Sequence, residues 1–162
     1  MIATRALLGP TALLAIALLV VNDHVLKARV PGLVTGKLSD VAGMIFFPLL
    51  LAAAAEHAGL RRGRAAVIAA ALATGAVFAA IKLWAPAGEL YRVGLAMLQW
   101  PFRALAAAFT NAALPALGRV HLTADPTDLI ALPALLVPVR LVRRSADVCE
   151  APVTSPAHAC HR

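Results

Sequence analysis

The chain alternates between long apolar blocks and short charged clusters. Four blocks are mostly apolar: residues 6–21, 38–55, 65–83 and 123–142. A membrane-spanning helix needs about 20 predominantly apolar residues, and lipid tolerates no exposed irregular backbone, so each block is expected to be helical. The pattern predicts an all-α integral membrane bundle of about four transmembrane helices, with residues 1–145 as a single transmembrane domain.

Residues 89–118 are also apolar but carry a polar stripe. Its residues recur at helical spacing and share one face: Glu89, Arg92, Gln99 and Arg103. This pattern favours an amphipathic helix that lies in the membrane interface and breaks at Pro101. Three aromatic residues would anchor it at headgroup level: Tyr91, Trp100 and Phe102. A fifth span over the same residues is the alternative.

The composition also indicates a membrane location. Of the 162 residues, 61% are hydrophobic and 14% are charged, whereas soluble domains are about half apolar and about a quarter charged. The formal charge is +7, but the arginines cluster at the ends of apolar blocks, as topology signals do. Because no aromatic residues interleave with these clusters, as base stacking would require, we expect membrane lipids as partners and no nucleic acid.

The basic clusters predict an orientation. In a four-span bundle three of them fall on one side: Arg5, residues 61–64 and residues 140–144. Positive charge close to span ends favours the cytoplasm, so both termini are expected there, in the inner membrane of a bacterium. Residues 6–21 resemble a signal peptide without a small-residue cleavage site, which predicts an uncleaved first span.

The end of the chain is polar, and we interpret residues 146–162 as a disordered tail. Its cysteines and histidines match no standard zinc spacing: Cys149, His158, Cys160 and His161. We therefore expect no metal and no cofactor.

Polar residues gather at one end of the four spans. In the four-span topology this end faces away from the cytoplasm, and it would hold eight ionisable side chains: Asp23, His24, Lys27, Lys37, Asp40, Lys82, Asp125 and Asp128. Charges at this depth are costly unless they are paired or face water, so we expect a shared polar pocket. Ser39 and Thr127 are expected to cap two parallel helices there. Tight turns are expected at Pro31-Gly32 and Thr35-Gly36.

These residue types suit a lipid or lipid-linked anionic substrate. Paired carboxylates can share acid and base roles, so the candidate catalytic residues are Asp23, Asp40 and Asp128. Lysines near helix N-termini suit a phosphate or headgroup, and the candidate substrate-binding residues are His24, Lys27, Lys37, Lys82 and Asp125. Each also has a structural interpretation, such as an ion pair between Asp23 and Lys27, four residues apart.

Two other functional classes stay open at this point. A small proton-coupled transporter would use the same charges, although the middles of the four blocks carry none. An accessory subunit would bind a larger membrane protein partner.

Residues 22–48 resemble a signature of uncharacterised small bacterial multi-pass membrane proteins. The matching positions are Asn22-Asp23-His24, Lys27, Pro31-Gly32, residues 35–43 and Pro48. The resemblance implies a membrane location and no known activity. The chain also resembles bacterial lipoprotein signal peptidase in its Asp23…Lys27 spacing and its Ala124-Asp125 pair, but it lacks the motif that carries one of that family's catalytic aspartates.

Overall fold

The computed structural model covers most of the chain. It describes residues 1–30, 32–60, 62–118, 120 and 122–150, with the backbone alone for 144–150. Along these residues the helices are α1 (Ile2–Leu7), α2 (Pro10–Arg29), α3 (Leu33–His57), α4 (Arg64–Leu83), α5 (Ala85–Phe109), a 3-10 helix (Pro126–Leu135) and α6 (Leu136–Glu150). Every regular element in this part of the chain is helical, which confirms the all-α prediction.

Three of the helices, α2, α3 and α4, are long and apolar enough to cross a membrane by length and composition. Helix α4 coincides with the predicted block 65–83 to within one residue. The fourth predicted block, 123–142, forms the 3-10 helix and the first half of α6 instead of one long α-helix. The count of four spans therefore stays a prediction.

The first block does not form one helix from residue 6 to 21. The chain breaks at Leu8-Gly9, where Gly9 has φ −74° and ψ 160°, because a residue that precedes proline is disfavoured in the α region. Pro10 then occupies the first turn of α2, the position where a missing N–H costs nothing. Helix α2 continues past Val21 through a π-helical turn, Asn22–Leu26, so the predicted polar end of the span lies inside the helix.

Helix α3 begins earlier than predicted. Thr35 Oγ1 accepts a hydrogen bond from the Gly32 N–H at 3.2 Å. The same hydroxyl donates to the Gly32 carbonyl at 2.9 Å. This local bonding starts the helix at Leu33. The predictions of a turn at Thr35-Gly36 and of an N-cap at Ser39 are therefore wrong, since these residues lie inside α3. Pro31 is outside the described residues.

The described chain forms two compact units, Met1–Gly75 with Ile130–Arg162, and Ala76–Leu129. Six alanines and three larger apolar side chains form the core of the first: Ala3, Ala12, Leu49, Ala52, Ala53, Ala66, Val67, Ala70 and Val142. Alanine lets helix backbones approach closely, which is how helices associate in lipid, where burial of apolar surface supplies no drive between them.

A buried carboxylate, that of Glu56 near the end of α3, holds two helix starts in the first unit. Its Oε1 accepts hydrogen bonds from the Ala3 N–H at 3.2 Å and the Gly63 N–H at 3.0 Å. Its Oε2 accepts from the Thr4 N–H at 3.4 Å. Negative charge is stabilised at the positive end of a helix, and α1 and α4 both begin here. Glu56 is not among the residues that the sequence pattern predicted as functional.

In the second unit, α5 runs for 25 residues and contains Pro101. The prediction that Pro101 breaks this helix is wrong. A proline removes one backbone donor, here the bond to the Met97 carbonyl, and helices that pack on other structure can absorb that loss as a kink.

The segment before α6 starts with a side-chain cap. Asp125 Oδ1 accepts a hydrogen bond from the Thr127 N–H at 2.9 Å, and the Asp125 carbonyl accepts from the Asp128 N–H at 3.1 Å. Asp125 is thus the capping residue, and the prediction that Thr127 caps is wrong. Helix α6 ends at Glu150, and residues 151–162 of the predicted tail, with Cys160, lie outside the described residues.

Candidate functional site

A directed chain of hydrogen bonds links α2 to α3 in the first unit. Asn22 Nδ2 donates to the Thr35 carbonyl at 2.7 Å and to Ser39 Oγ at 2.6 Å. Because the carbonyl can only accept, the amide nitrogen of Asn22 must face Thr35. The Ser39 hydroxyl then donates its proton to Asp23 Oδ1 at 2.6 Å. The Thr35 carbonyl, at 3.5 Å, is a more distant acceptor for the same hydroxyl, so the short bond to Asp23 is favoured and holds that carboxylate in place.

The π-helical turn, Asn22–Leu26, is where this network begins. Such turns are rare and occur often at functional sites. The Asn22 side chain is fully buried, and its Oδ1 has no hydrogen-bond partner among the described residues. A buried acceptor without a partner costs about 1–3 kcal/mol. The rest of the fold therefore has to offset the cost of holding Asn22 here.

The predicted ion pair between Asp23 and Lys27 is present. Lys27 Nζ lies 2.8 Å from Asp23 Oδ1, and both side chains are 41% exposed. An exposed pair one helical turn apart contributes less than about 1 kcal/mol to stability. Its main effect is to fix the position of the Lys27 ammonium at the surface of α2. The ammonium is held by the Asp23 carboxylate, which is itself held by Ser39. We call Asn22, Asp23, Lys27 and Ser39 the α2–α3 cluster.

Three other predicted site residues lie near this cluster in the sequence. His24 is exposed, with Nδ1 3.0 Å from the Val20 carbonyl one turn earlier on α2. Lys37 and Asp40 are half-buried on the first two turns of α3.

A second ion pair forms in the second unit and is largely buried. Lys82 Nζ lies 2.6 Å from Asp128 Oδ2, and these side chains are 9% and 12% exposed. The same ammonium donates to the Thr123 carbonyl at 3.2 Å and lies 5.5 Å from the centre of the Phe78 ring. A buried charge is tolerated when it is paired and hydrogen-bonded, and Lys82 meets both conditions.

The structure thus joins Asp23 with Lys27 and, separately, Lys82 with Asp128. A single pocket that holds all eight predicted residues stays a prediction. Sequence reasoning missed Asn22 and Ser39 as the connectors. Asn22 had a signal, since it adjoins Asp23 at the end of an apolar block, but nothing in the sequence pairs it with a residue 17 positions away. Among the described residues, no three metal-ligating side chains come close enough to hold an ion.

No family model, no curated protein and no solved structure matches this chain.

Proposed function

We propose that this protein is a multi-pass protein of a bacterial inner membrane that binds an anionic lipid headgroup, or a lipid-linked anion, at the α2–α3 cluster. The observation that carries the proposal is the placement of Lys27. Its ammonium is half-exposed on a helix apolar enough to cross a membrane, and it is held in place through Asp23 and Ser39.

The charge around the cluster suits an anion. Residues 22–40 contain three basic residues, Lys27, Arg29 and Lys37, and two acidic residues, Asp23 and Asp40, so their formal sum is +1. An ammonium has three N–H donors, and the pair with Asp23 uses one of them. The others can reach a phosphate oxygen without breaking the pair. Basic residues at a membrane surface attract anionic headgroups by about 1 kcal/mol each.

In this proposal the carboxylates orient cations. Asp23 positions Lys27, and Asp128 neutralises Lys82 in a largely buried site. The catalytic roles of Asp23, Asp40 and Asp128 stay predictions. Catalysis would need one of these carboxylates to contact a substrate, whereas the proposal here uses Asp23 and Asp128 to hold lysines.

The 3-10 helix supports a fourth crossing and two cytoplasmic termini. A 3-10 helix rises about 2.0 Å per residue and an α-helix about 1.5 Å. From Asp128 to Arg140 the backbone therefore extends roughly 22 Å, against about 18 Å for α-helix throughout. Pro133 lies inside the 3-10 helix, where its ring disfavours the close approach to the carbonyl four residues earlier that an α-helix requires. Pro138 occupies the first turn of α6, where no N–H is needed. With the long side chain of Arg140 reaching the headgroups, the segment approaches the roughly 30 Å of a bilayer core.

Replacing Lys27 by glutamine is expected to weaken binding of anionic lipid about tenfold, because a hydrogen bond to a charged group contributes about 1.5–3 kcal/mol. The measurement is the enrichment of phosphatidylglycerol over phosphatidylcholine around the purified protein in nanodiscs that contain both. Lys27→Arg should retain most of the enrichment, since it keeps the charge and the donors.

Arg29→Gln is the matched control, because it removes an equal charge two residues away and outside the hydrogen-bonded cluster. It should reduce the enrichment by about fivefold at most, which corresponds to the roughly 1 kcal/mol of one basic residue at a membrane surface, and so by less than Lys27→Gln does. Equal losses for the two variants would show diffuse attraction to the membrane and would overturn the proposed site.

A further inference from the structure

Helix α5 and the chain that follows it form one lobe in the second unit. Arg92 Nη2 donates to the Leu122 carbonyl at 2.7 Å, and Trp100 Nε1 donates to the Pro115 carbonyl at 2.9 Å. The Arg103 guanidinium lies against Gly118, where an added Cβ would come within 3.0 Å of Nη1. The described chain after α5 therefore runs back along the helix, and we call residues 112–118, 120 and 122 the return segment.

Lys82 links the two ends of the lobe. Its ammonium binds the Thr123 carbonyl just after the return segment, while α5 begins at Ala85, two residues after α4 ends. The lobe thus starts and ends beside the last turn of a helix that is apolar enough to span a membrane.

The polar stripe of α5 contacts the return segment. Arg92 and Arg103 use their guanidinium groups there, and Glu89 Oε2 lies 3.2 Å from Arg92 Nη1. The sequence pattern alone suggested a stripe that faces water. In the structure Arg92 of the stripe donates to one backbone carbonyl of the return segment, that of Leu122, and Arg103 lies against Gly118. Backbone groups outside a helix need such partners most where water is scarce, as in lipid.

The opposite face of α5 is apolar and exposed. At 100° per residue its large side chains fall in one sector, away from the stripe: Leu90, Met97, Leu98, Phe102, Leu105 and Phe109. Phe109, at the far end of the helix, is 82% exposed. A continuous apolar face of this size is not stable in water and marks an interaction surface.

We infer that this face rests in the acyl chains of the leaflet at which α4 ends, with the return segment above it toward the headgroups. The short link between α4 and α5 indicates that lipid covers this face, because Trp84 alone separates α5 from a candidate span. The return segment indicates how deep the lobe lies in the bilayer. A lobe that crossed the bilayer would expose non-helical backbone to hydrocarbon, which is not tolerated, whereas a lobe that lies flat keeps that backbone at the polar surface. The inference does not depend on headgroup binding at the α2–α3 cluster.

The test uses the tryptophans that the protein already has. The chain contains two, Trp84 and Trp100, and both belong to this unit, so its tryptophan fluorescence reports on the lobe alone. The protein is reconstituted in vesicles whose phosphatidylcholine is brominated either near the headgroup or near the acyl terminus. We expect both lipids to quench, with at least twofold stronger quenching by the shallow bromines, and the same order in Trp84→Phe, where Trp100 is the sole reporter.

Two results would overturn the inference. Stronger quenching by the deep bromines would mean that α5 crosses the bilayer. No quenching by either lipid would mean that a partner protein or a second copy of this chain covers the face, and chemical crosslinking would distinguish these two.

Neighbouring residues on α5 provide a matched pair of variants. Leu98→Asp places a carboxylate on the apolar face, and Gln99→Asp places the same charge on the stripe side one residue further. We expect Leu98→Asp to lose most of the lipid quenching and Gln99→Asp to retain it. Equal quenching in the two variants, both with the helical content of the parent protein, would contradict the proposed orientation.

Discussion

Replacing Glu56 by alanine is expected to destabilise the protein strongly. The Glu56 side chain is 1% exposed and accepts hydrogen bonds from three backbone N–H groups, those of Ala3, Thr4 and Gly63. Without the carboxylate the Ala3 N–H stays buried with no acceptor, which costs about 1–3 kcal/mol. The half-buried N–H groups of Thr4 and Gly63 lose the same acceptor, and each adds a smaller cost. The loss should therefore reach about 3 kcal/mol or more, against a total stability that is usually about 5–15 kcal/mol.

The measurement is thermal unfolding in a mild detergent, followed by the circular dichroism of the helices. Glu56→Gln should lie between the parent protein and Glu56→Ala, because an amide keeps one accepting oxygen and introduces a donor that faces another donor. Glu89→Ala is the control, since the Glu89 side chain is 47% exposed and its pair with Arg92 contributes less than about 1 kcal/mol. If the midpoints of Glu56→Ala and Glu89→Ala fall equally, Glu56 does not hold the helix starts together.

Breaking the buried pair of Lys82 and Asp128 is expected to destabilise the protein by a similar amount. Removing one partner of a buried pair leaves an uncompensated charge and costs about 3–5 kcal/mol, whereas replacing both by apolar residues of similar size is often nearly neutral. Lys82→Met and Asp128→Leu should therefore each reduce the amount of folded protein in the membrane, and the double variant should recover most of it. A fluorescent fusion read by size-exclusion chromatography in detergent measures that amount.

The same experiment separates a role in folding from a role in headgroup binding. If the double variant is folded and still enriches anionic lipid, the pair stabilises the fold and is not needed for binding. If the amount of folded double variant is as low as that of the single variants, the pair does more than neutralise its own charges. Asp23→Asn is the control for a single lost carboxylate, because its pair with Lys27 is exposed and should cost less than about 1 kcal/mol.

Features that depend on neighbours in the sequence were predictable. The all-α class and the extent of α4 follow from long apolar blocks, because a run of about 20 apolar residues has one stable form in lipid. The ion pair of Asp23 and Lys27 follows from four-residue spacing on a helix. The stripe on α5 was located correctly for the same reason, since helical periodicity assigns each residue to a face.

Features that depend on the competition between local signals were less predictable. The break before Pro10 has a plain local cause in the pre-proline Gly9, but the apolar pattern runs through it unchanged. Pro101 carries the same kind of signal, and there the helix continues. Whether a proline ends a helix depends on the packing that surrounds it, which hydrophobic periodicity does not report.

The sequence by itself determined that the fold is helical, which faces are apolar and which ends carry charge, because these properties arise from periodicities of a few residues. The tertiary structure decided the partners. Glu56 lies 53 residues from Ala3, Lys82 lies 46 from Asp128, and Arg92 lies 30 from the carbonyl of Leu122. At such separations many charged and polar residues are chemically equivalent candidates, and only the packing of the helices selects the one that each side chain meets.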